Sequence, residues 1–428
     1  MPALPLLPML ARTGVSALAA LARELRAWRP SRERALFGIE ALLSVALAVA
    51  VAHALHLTHT WWAALSGFAV MQTAFAASLQ RAAYRIVGTI AGALLGTLAG
   101  PWTGTVPWLF VPAMAAIGAV TVYNVNASRW AYAWMLGGIT ALLVLCEART
   151  ALAIRPTAEF AILRVAEVII GTLACVVVAT LFHWGEKKYE KRRPLPAEAI
   201  GPMAATAQAT AAETAVPAAD PPLQPAAATA ATAATAATAA MAPAATATAA
   251  PATPATSPAI RRLLAVQAAL AVALIAACVQ FLRLPGYEQA MVTAIAVLML
   301  PAGLQPDTVH KPMVEKMAQR AIGCLLAGAV AVAMLPLMGD QPVLCLVTLA
   351  LGIWIGCHVQ TGKEGASYIG RQFTIAFLMV FVQDHHWSAD ALPALLRLAG
   401  IFAGMTALLA AVFATAGTRL SRAFSSAP

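Results

Sequence analysis

The chain has 428 residues, of which 61% are hydrophobic and 11% charged, where a soluble domain carries about 25% charged residues. So few polar groups cannot cover the surface of a soluble enzyme, and so apolar a chain is not disordered throughout; the composition marks a polytopic membrane protein. The formal charge of +10, from 28 Lys+Arg against 18 Asp+Glu, matters through its placement, because basic residues orient membrane spans.

In chain order, residues 1–34 form a basic cytoplasmic segment with Arg12, Arg23, Arg26, Arg29, Arg32 and Arg34. Thr13 to Trp28 predicts a basic amphipathic helix lying on a membrane surface. Arginine interrupts its apolar stretch and no cleavage site follows, so it does not read as a signal peptide. A first membrane unit, 35–193, has apolar runs near 36–57, 61–79, 85–100, 106–124, 130–147 and 160–183, stopped by Lys187, Lys188, Lys191, Arg192 and Arg193. Residues 194–260 are Ala/Thr/Pro-rich and low in charge, which predicts a disordered cytoplasmic linker. A second unit, 261–418, has runs near 263–282, 288–304, 320–338, 342–359, 366–383 and 391–416, before a cytoplasmic tail at 419–428. Each run is close to the roughly 20 residues that cross a bilayer. The fold expected is all-α, with about twelve transmembrane helices.

With the N-terminus inside, 22 basic residues fall in inward segments and three, Arg149, Arg155 and Arg283, in outward loops. Both termini and the linker are then cytoplasmic. Trp61, Trp62, Trp102, Trp108 and Trp387 fall at the outer interface and Trp184 at the inner one.

The two units repeat one another. Arg81-Ala-Ala-Tyr-Arg85-Ile-Val-Gly88 aligns with Lys316-Met-Ala-Gln-Arg320-Ala-Ile-Gly323, and Leu163-Arg164-Val165-Ala166 with Leu396-Arg397-Leu398-Ala399, followed by Gly171 and Gly404. Glu40 pairs with Gln267. An even number of spans per unit makes these parallel six-helix repeats, related by an axis along the membrane normal, and such repeats place a pathway at their interface.

An ionisable group in a membrane helix costs about 2.5–3.5 kcal/mol at the bilayer centre, so the few present are informative. Arg164 and Glu167 share one helix face. Arg164 can bind a substrate carboxylate through its planar fork while Glu167 carries a proton; alternatively the two neutralise each other as an i,i+3 pair, or Arg164 snorkels. Arg397 has Gly400 where Arg164 has Glu167, and is the less neutralised of the two. Glu40, one turn inside the first span, is a proton acceptor at the inner mouth or a partner of Arg34 or Arg85. Arg371 guides anions inward or snorkels. Arg81, Arg85, Lys316 and Arg320 are explained by positive-inside retention, and also raise the local anion concentration. Gly88, Gly92 and Gly96 form two GxxxG steps for close helix packing.

His53, His56 and His59 lack a spaced carboxylate, and Asp384-His385-His386 reads as a solvated loop, so no metal site is expected. The six cysteines lie in apolar runs without CxxC, which points to packing and not to disulfides. No GxxxxGK[ST], GxSxG or Ser/His/Asp order occurs, so no enzyme activity, cofactor or nucleic-acid binding is expected.

Arg81-xxx-Arg85-Ile-Val-Gly88-Thr89-Ile-Ala-Gly92-Ala-Leu-Leu-Gly96, followed by Tyr132-Ala-Trp-Met-Leu-Gly-Gly-Ile-Thr140 and Arg164-Val-Ala-Glu167-Val-Ile-Ile-Gly171, resembles the fusaric acid resistance family, also called the aromatic acid exporters. The second unit keeps Arg320, Gly323, Tyr368, Arg397 and Gly404, with Cys324 in place of the threonine. The resemblance implies efflux of small aromatic or organic acids across a bacterial inner membrane, driven by proton-motive force, with a periplasmic membrane-fusion subunit as partner. Many relatives carry a folded cytoplasmic domain where this chain has its linker. On these expectations Arg164, Arg397 and Arg371 bind the anion, and Glu40 and Glu167 relay protons. A passive anion channel and a non-transporting membrane scaffold are the rival readings, and the oligomeric state, a homo-oligomer included, is open.

Overall fold

The computed structural model describes residues 6–192, save 30, 105 and 152, and 256–416, save 283–285, 302, 305–307, 340 and 384–389. The bulk of the expected linker, the tail at 419–428, Arg283 and the Asp384-His385-His386-Trp387 loop lie outside the described residues.

Every element among the described residues is an α-helix. The order is α1 (Leu6–Arg26), α2 (Arg32–Ala54), α3 (Thr60–Val70), α4 (Phe75–Thr103), α5 (Pro107–Val125), α6 (Ala131–Ala151), α7 (Ile154–Arg192), α8 (Pro258–Leu282), α9 (Tyr287–Val297), α10 (His310–Met338), α11 (Pro342–Gln360), α12 (Ser367–Phe381) and α13 (Leu392–Ala416). Their starts follow local chemistry. Ser31 caps α2 by accepting from Arg34 N at 3.2 Å. Pro107 and Pro342 open α5 and α11, where a missing N–H costs nothing. Nine helices among the described residues are long and apolar enough to cross a membrane.

The second and eighth expected spans are the main departure. α3 and α9 each have 11 residues, about 16 Å of helix against a hydrocarbon core of about 30 Å. α3 stops at Val70 because Met71 turns extended, and the backbone it frees is met by side chains. Gln72 N donates to Ser78 Oγ at 2.9 Å, and Arg371 Nη2 donates to Ala69 O at 3.1 Å. Irregular backbone at membrane depth is tolerated only where protein satisfies it in this way. α4 therefore starts at Phe75, ten residues before the expected span, and takes Arg81 and Arg85 into the helix. α10 likewise begins at His310 and contains Lys316 and Arg320. α12 has 15 residues, and α7 runs through the basic stop signal to 39 residues.

Within each unit the third helix packs on the fifth, α4 on α6 and α10 on α12. The sixth packs on the first and second, α7 on α2 and α3, α13 on α8 and α9. The glycine steps serve these contacts. A Cβ on Gly88 or Gly92 would strike the carbonyls of Ala133 or Gly137 on α6, and one on Gly323 would meet Ile369 O of α12 at 2.7 Å. Across the units, α5 packs on α8 and α11 on α2, while α3 meets α12 and α9 meets α6.

The N-terminal helix forms, but not simply as a surface helix. α1 docks on α10 and α11. Glu24, 1% exposed, takes Arg34 Nη1 at 3.0 Å and Glu364 N at 2.9 Å. Trp28 stacks on His358 with centroids 3.6 Å apart. Its other face leaves Val15, Leu18 and Leu25 exposed.

Candidate functional site

The site is built around α3. Its sequence, TWWAALSGFAV, is apolar on all sides, and every residue from Thr60 to Val70 except Leu65 is buried. An all-round apolar helix belongs inside a bundle. This corrects the expected placement of Trp61 and Trp62 in an interfacial belt: both are 6% exposed. Trp102, Trp108 and Trp184, in contrast, are exposed as a belt requires.

At the N-terminal end of α3 the rings of Trp61 and Trp62 stack, with centroids 3.9 Å apart. Arg164 of α7 lies over the Trp62 ring with Cζ 3.0 Å from its centroid, and Arg397 of α13 lies over the Trp61 ring at 4.8 Å. The two arginines that correspond across the repeat thus converge on adjacent indoles of one helix. Arg164 is 5% exposed, and its Nε and Nη1 have no hydrogen-bond partner. Glu167, 1% exposed, accepts from His59 N at 3.1 Å. Gly171, one turn further along α7, lets that helix close against Ala63 O and Ser66 of α3. Gly404 does the same against Ala290 and Thr293 of α9.

Toward the C-terminal end of α3 lies a second group. Arg85 Nη2 donates to Ser66 Oγ at 2.9 Å, and Nη1 to Tyr132 OH at 3.1 Å. Arg81 lies over the Tyr132 ring at 5.0 Å. Arg371 reaches Ala69 O from α12. The second unit repeats part of this: Arg320 Nε donates to Thr293 Oγ1 at 3.2 Å, and Nη1 to Gln372 Oε1 at 2.5 Å. Lys316 Nζ donates to Met299 O.

Glu40 is half-buried on α2 with no hydrogen bond or ion pair among the described residues. The partners expected for it are engaged elsewhere, Arg34 with Glu24 and Arg85 with Tyr132 and Ser66. Arg164, Arg397 and Glu167 are thus brought together at one end of α3 and Arg371 at the other, while Glu40 stands apart on α2. The sequence reading missed Arg81, Arg85, Tyr132 and the Trp61–Trp62 pair as site residues. The signal was present in register: Arg81, Arg85, Gly88 and Gly92 fall at i, i+4, i+7 and i+11, the face that packs on α6. His53 turns its ring to Val49 O at 3.0 Å, and among the described residues no group of three His, Cys, Asp or Glu is placed to hold a metal ion.

Residues 47–179 match the family model described as fusaric acid resistance protein-like. No curated protein and no solved structure matches the chain. The matched stretch runs from the end of α2 into α7 and contains α3, Arg81, Arg85, Tyr132, Arg164 and Glu167, so this is a multi-pass membrane protein whose first membrane unit is fusaric acid resistance protein-like.

Proposed function

We propose that the protein exports small aromatic or related organic acids across a bacterial inner membrane, with both termini cytoplasmic and proton-motive force as the energy source. The observation that carries this reading is the convergence of Arg164 and Arg397 on the stacked Trp61–Trp62 pair. Burying an ion costs several kcal/mol, whereas a desolvated cation–π contact returns about 2 kcal/mol. The buried Nε and Nη1 of Arg164 leave a fork-shaped deficit that a carboxylate completes. Because the protein itself supplies only partial compensation, the anion binds without being trapped.

The short helices support the same reading. α3 and α9 hold corresponding places in the two units, and both precede a break and a 29-residue helix. Paired discontinuous helices of this kind mark substrate sites in transporters built from repeats. α3 with the extended Met71–Ala74 spans about 30 Å, enough to complete a crossing. On this reading the chain makes twelve crossings in two parallel six-span repeats. Arg164 and Arg397 hold the anion, Arg371 receives it from the inner side, and Glu167 and Glu40 carry the proton. A membrane potential alone favours anion exit by about 2.3 kcal/mol per charge per 100 mV, so proton coupling needs its own test.

Cells loaded with labelled benzoate supply it. Protein-dependent efflux that collapses with an uncoupler, and that is lost in Arg397→Ala at unchanged membrane insertion, is the expected result. Normal efflux by Arg397→Ala sinks the site assignment, and efflux that persists under uncoupling and follows the anion gradient makes the protein a channel.

A further inference from the structure

Arg81 and Arg85 lie four residues apart on α4 and share a face. Positive-inside retention would leave such residues snorkelling toward headgroups, yet they are 8% and 5% exposed on the face that packs against α6. Arg81 Nη1 and Arg85 Nε are buried with no hydrogen-bond partner. Arg371 joins them from the other unit, held by Ala69 O, and Lys316 lies within electrostatic range of Arg371. The charged groups described as acting on Arg81 are Arg371, Arg85 and the Tyr132 phenol, and that on Lys316 is Arg371. No carboxylate is among them. The cluster therefore contrasts with the outer end of α3, where Glu167 stands one turn from Arg164.

We propose that Arg81, Arg85 and Arg371, with the Tyr132 hydroxyl between them, form a second anion site on the inner side, and that it selects dicarboxylates over monocarboxylates. The proposal deepens the transport reading and rests on it for its place in the cycle, but binding is measured separately. A single carboxylate leaves two of the three guanidinium charges uncompensated in a low-dielectric setting, where each such charge is expensive. A dianion presents two acceptor pairs, one for the open donor of Arg81 and one for that of Arg85. Each added charge-assisted hydrogen bond contributes about 1.5–3 kcal/mol. The irregular Met71–Ala74 segment borders the site through Ala69 and Ser78 and needs no helix to unwind for the ligand to reach it.

The test is equilibrium binding of phthalate and benzoate, which differ by one carboxylate, to purified full-length protein in detergent at matched ionic strength. Phthalate is expected to bind about tenfold more tightly than benzoate. Arg81→Gln should bring the two affinities together while leaving benzoate binding close to wild type. Arg81→Lys, which keeps the charge but not the fork, should give an intermediate ratio. Equal affinities in the wild type overturn the proposal, as does an unchanged ratio in monodisperse Arg81→Gln. Uncoupler-sensitive benzoate efflux from cells without any dianion preference in the purified protein leaves the export reading standing and removes the dicarboxylate site. A clear dianion preference in a protein that exports nothing keeps the site and removes the export reading.

Discussion

Arg164 depends on an indole face and not on a carboxylate hydrogen bond for its described contact, with Cζ 3.0 Å from the Trp62 centroid. That makes Trp62 a residue that positions the guanidinium. Trp62→Leu keeps the site apolar but removes the ring's quadrupole, and about 2 kcal/mol of cation–π attraction corresponds to roughly a thirtyfold loss in anion affinity. Trp62→Phe, with a weaker face, should fall between, and benzoate binding by the three purified proteins checks the order. Glu24 is a second residue with a large expected effect. It is 1% exposed and joins Arg34, and removing one partner of a buried pair costs about 3–5 kcal/mol. Arg34 is partly exposed, which discounts that figure. Glu24→Ala should release α1 from α10 and α11, read as faster limited proteolysis within residues 6–26 than in wild type.

At the scale of elements, two helices are positioned by the absence of side chains. α4 lies so close to α6 that a Cβ at Gly92 would meet the Gly137 carbonyl, which is backbone and cannot rotate away. Gly92→Val should therefore separate the two helices, at a cost of roughly 1–3 kcal/mol or more from overpacking. The checks are a lower thermal midpoint in detergent and reduced efflux at equal protein level. The same register carries Arg81 and Arg85 inward, so this one substitution also disturbs the inner anion site. The fold class, the two sets of apolar helices and the GxxxG contact were legible in the sequence, because period and glycine spacing are local properties. The break after Val70 was not. Hydropathy runs on past that point, and the chain stops being helical only because Ser78 and Arg371, distant along the chain or across the units, satisfy the freed backbone.

Across the whole molecule, the contacts between units are reciprocal: first helix of one on fourth of the other, second on fifth, in both directions. Gly118 of α5 faces Val272 of α8 at 2.9 Å, and Gly38 of α2 faces Trp354 of α11 at 2.9 Å. Such an arrangement predicts that the units recognise each other without a covalent join. Residues 1–193 and 256–428 expressed as two chains should co-purify and restore efflux, while Gly118→Leu in the first chain should abolish co-purification. Fusion of a cytoplasm-dependent reporter to the C-terminus tests the orientation, and activity of that reporter is the expected result from the excess of basic residues in inward segments.

What the sequence by itself determined was a polytopic helical membrane protein with two matching sets of apolar helices and a short list of charged residues within them. Composition and period set those, because a chain this poor in charge has no other way to meet solvent and lipid. What only the tertiary structure decided was which cations act together. Arg164 and Arg397 lie 233 positions apart and meet on neighbouring indoles, while Arg81 and Arg85 turn inward to Tyr132 and across to Arg371. Two local fates are open to an arginine near a membrane boundary, snorkelling or burial. The neighbour that rewards burial belongs to another helix, so the choice is made only when the helices pack.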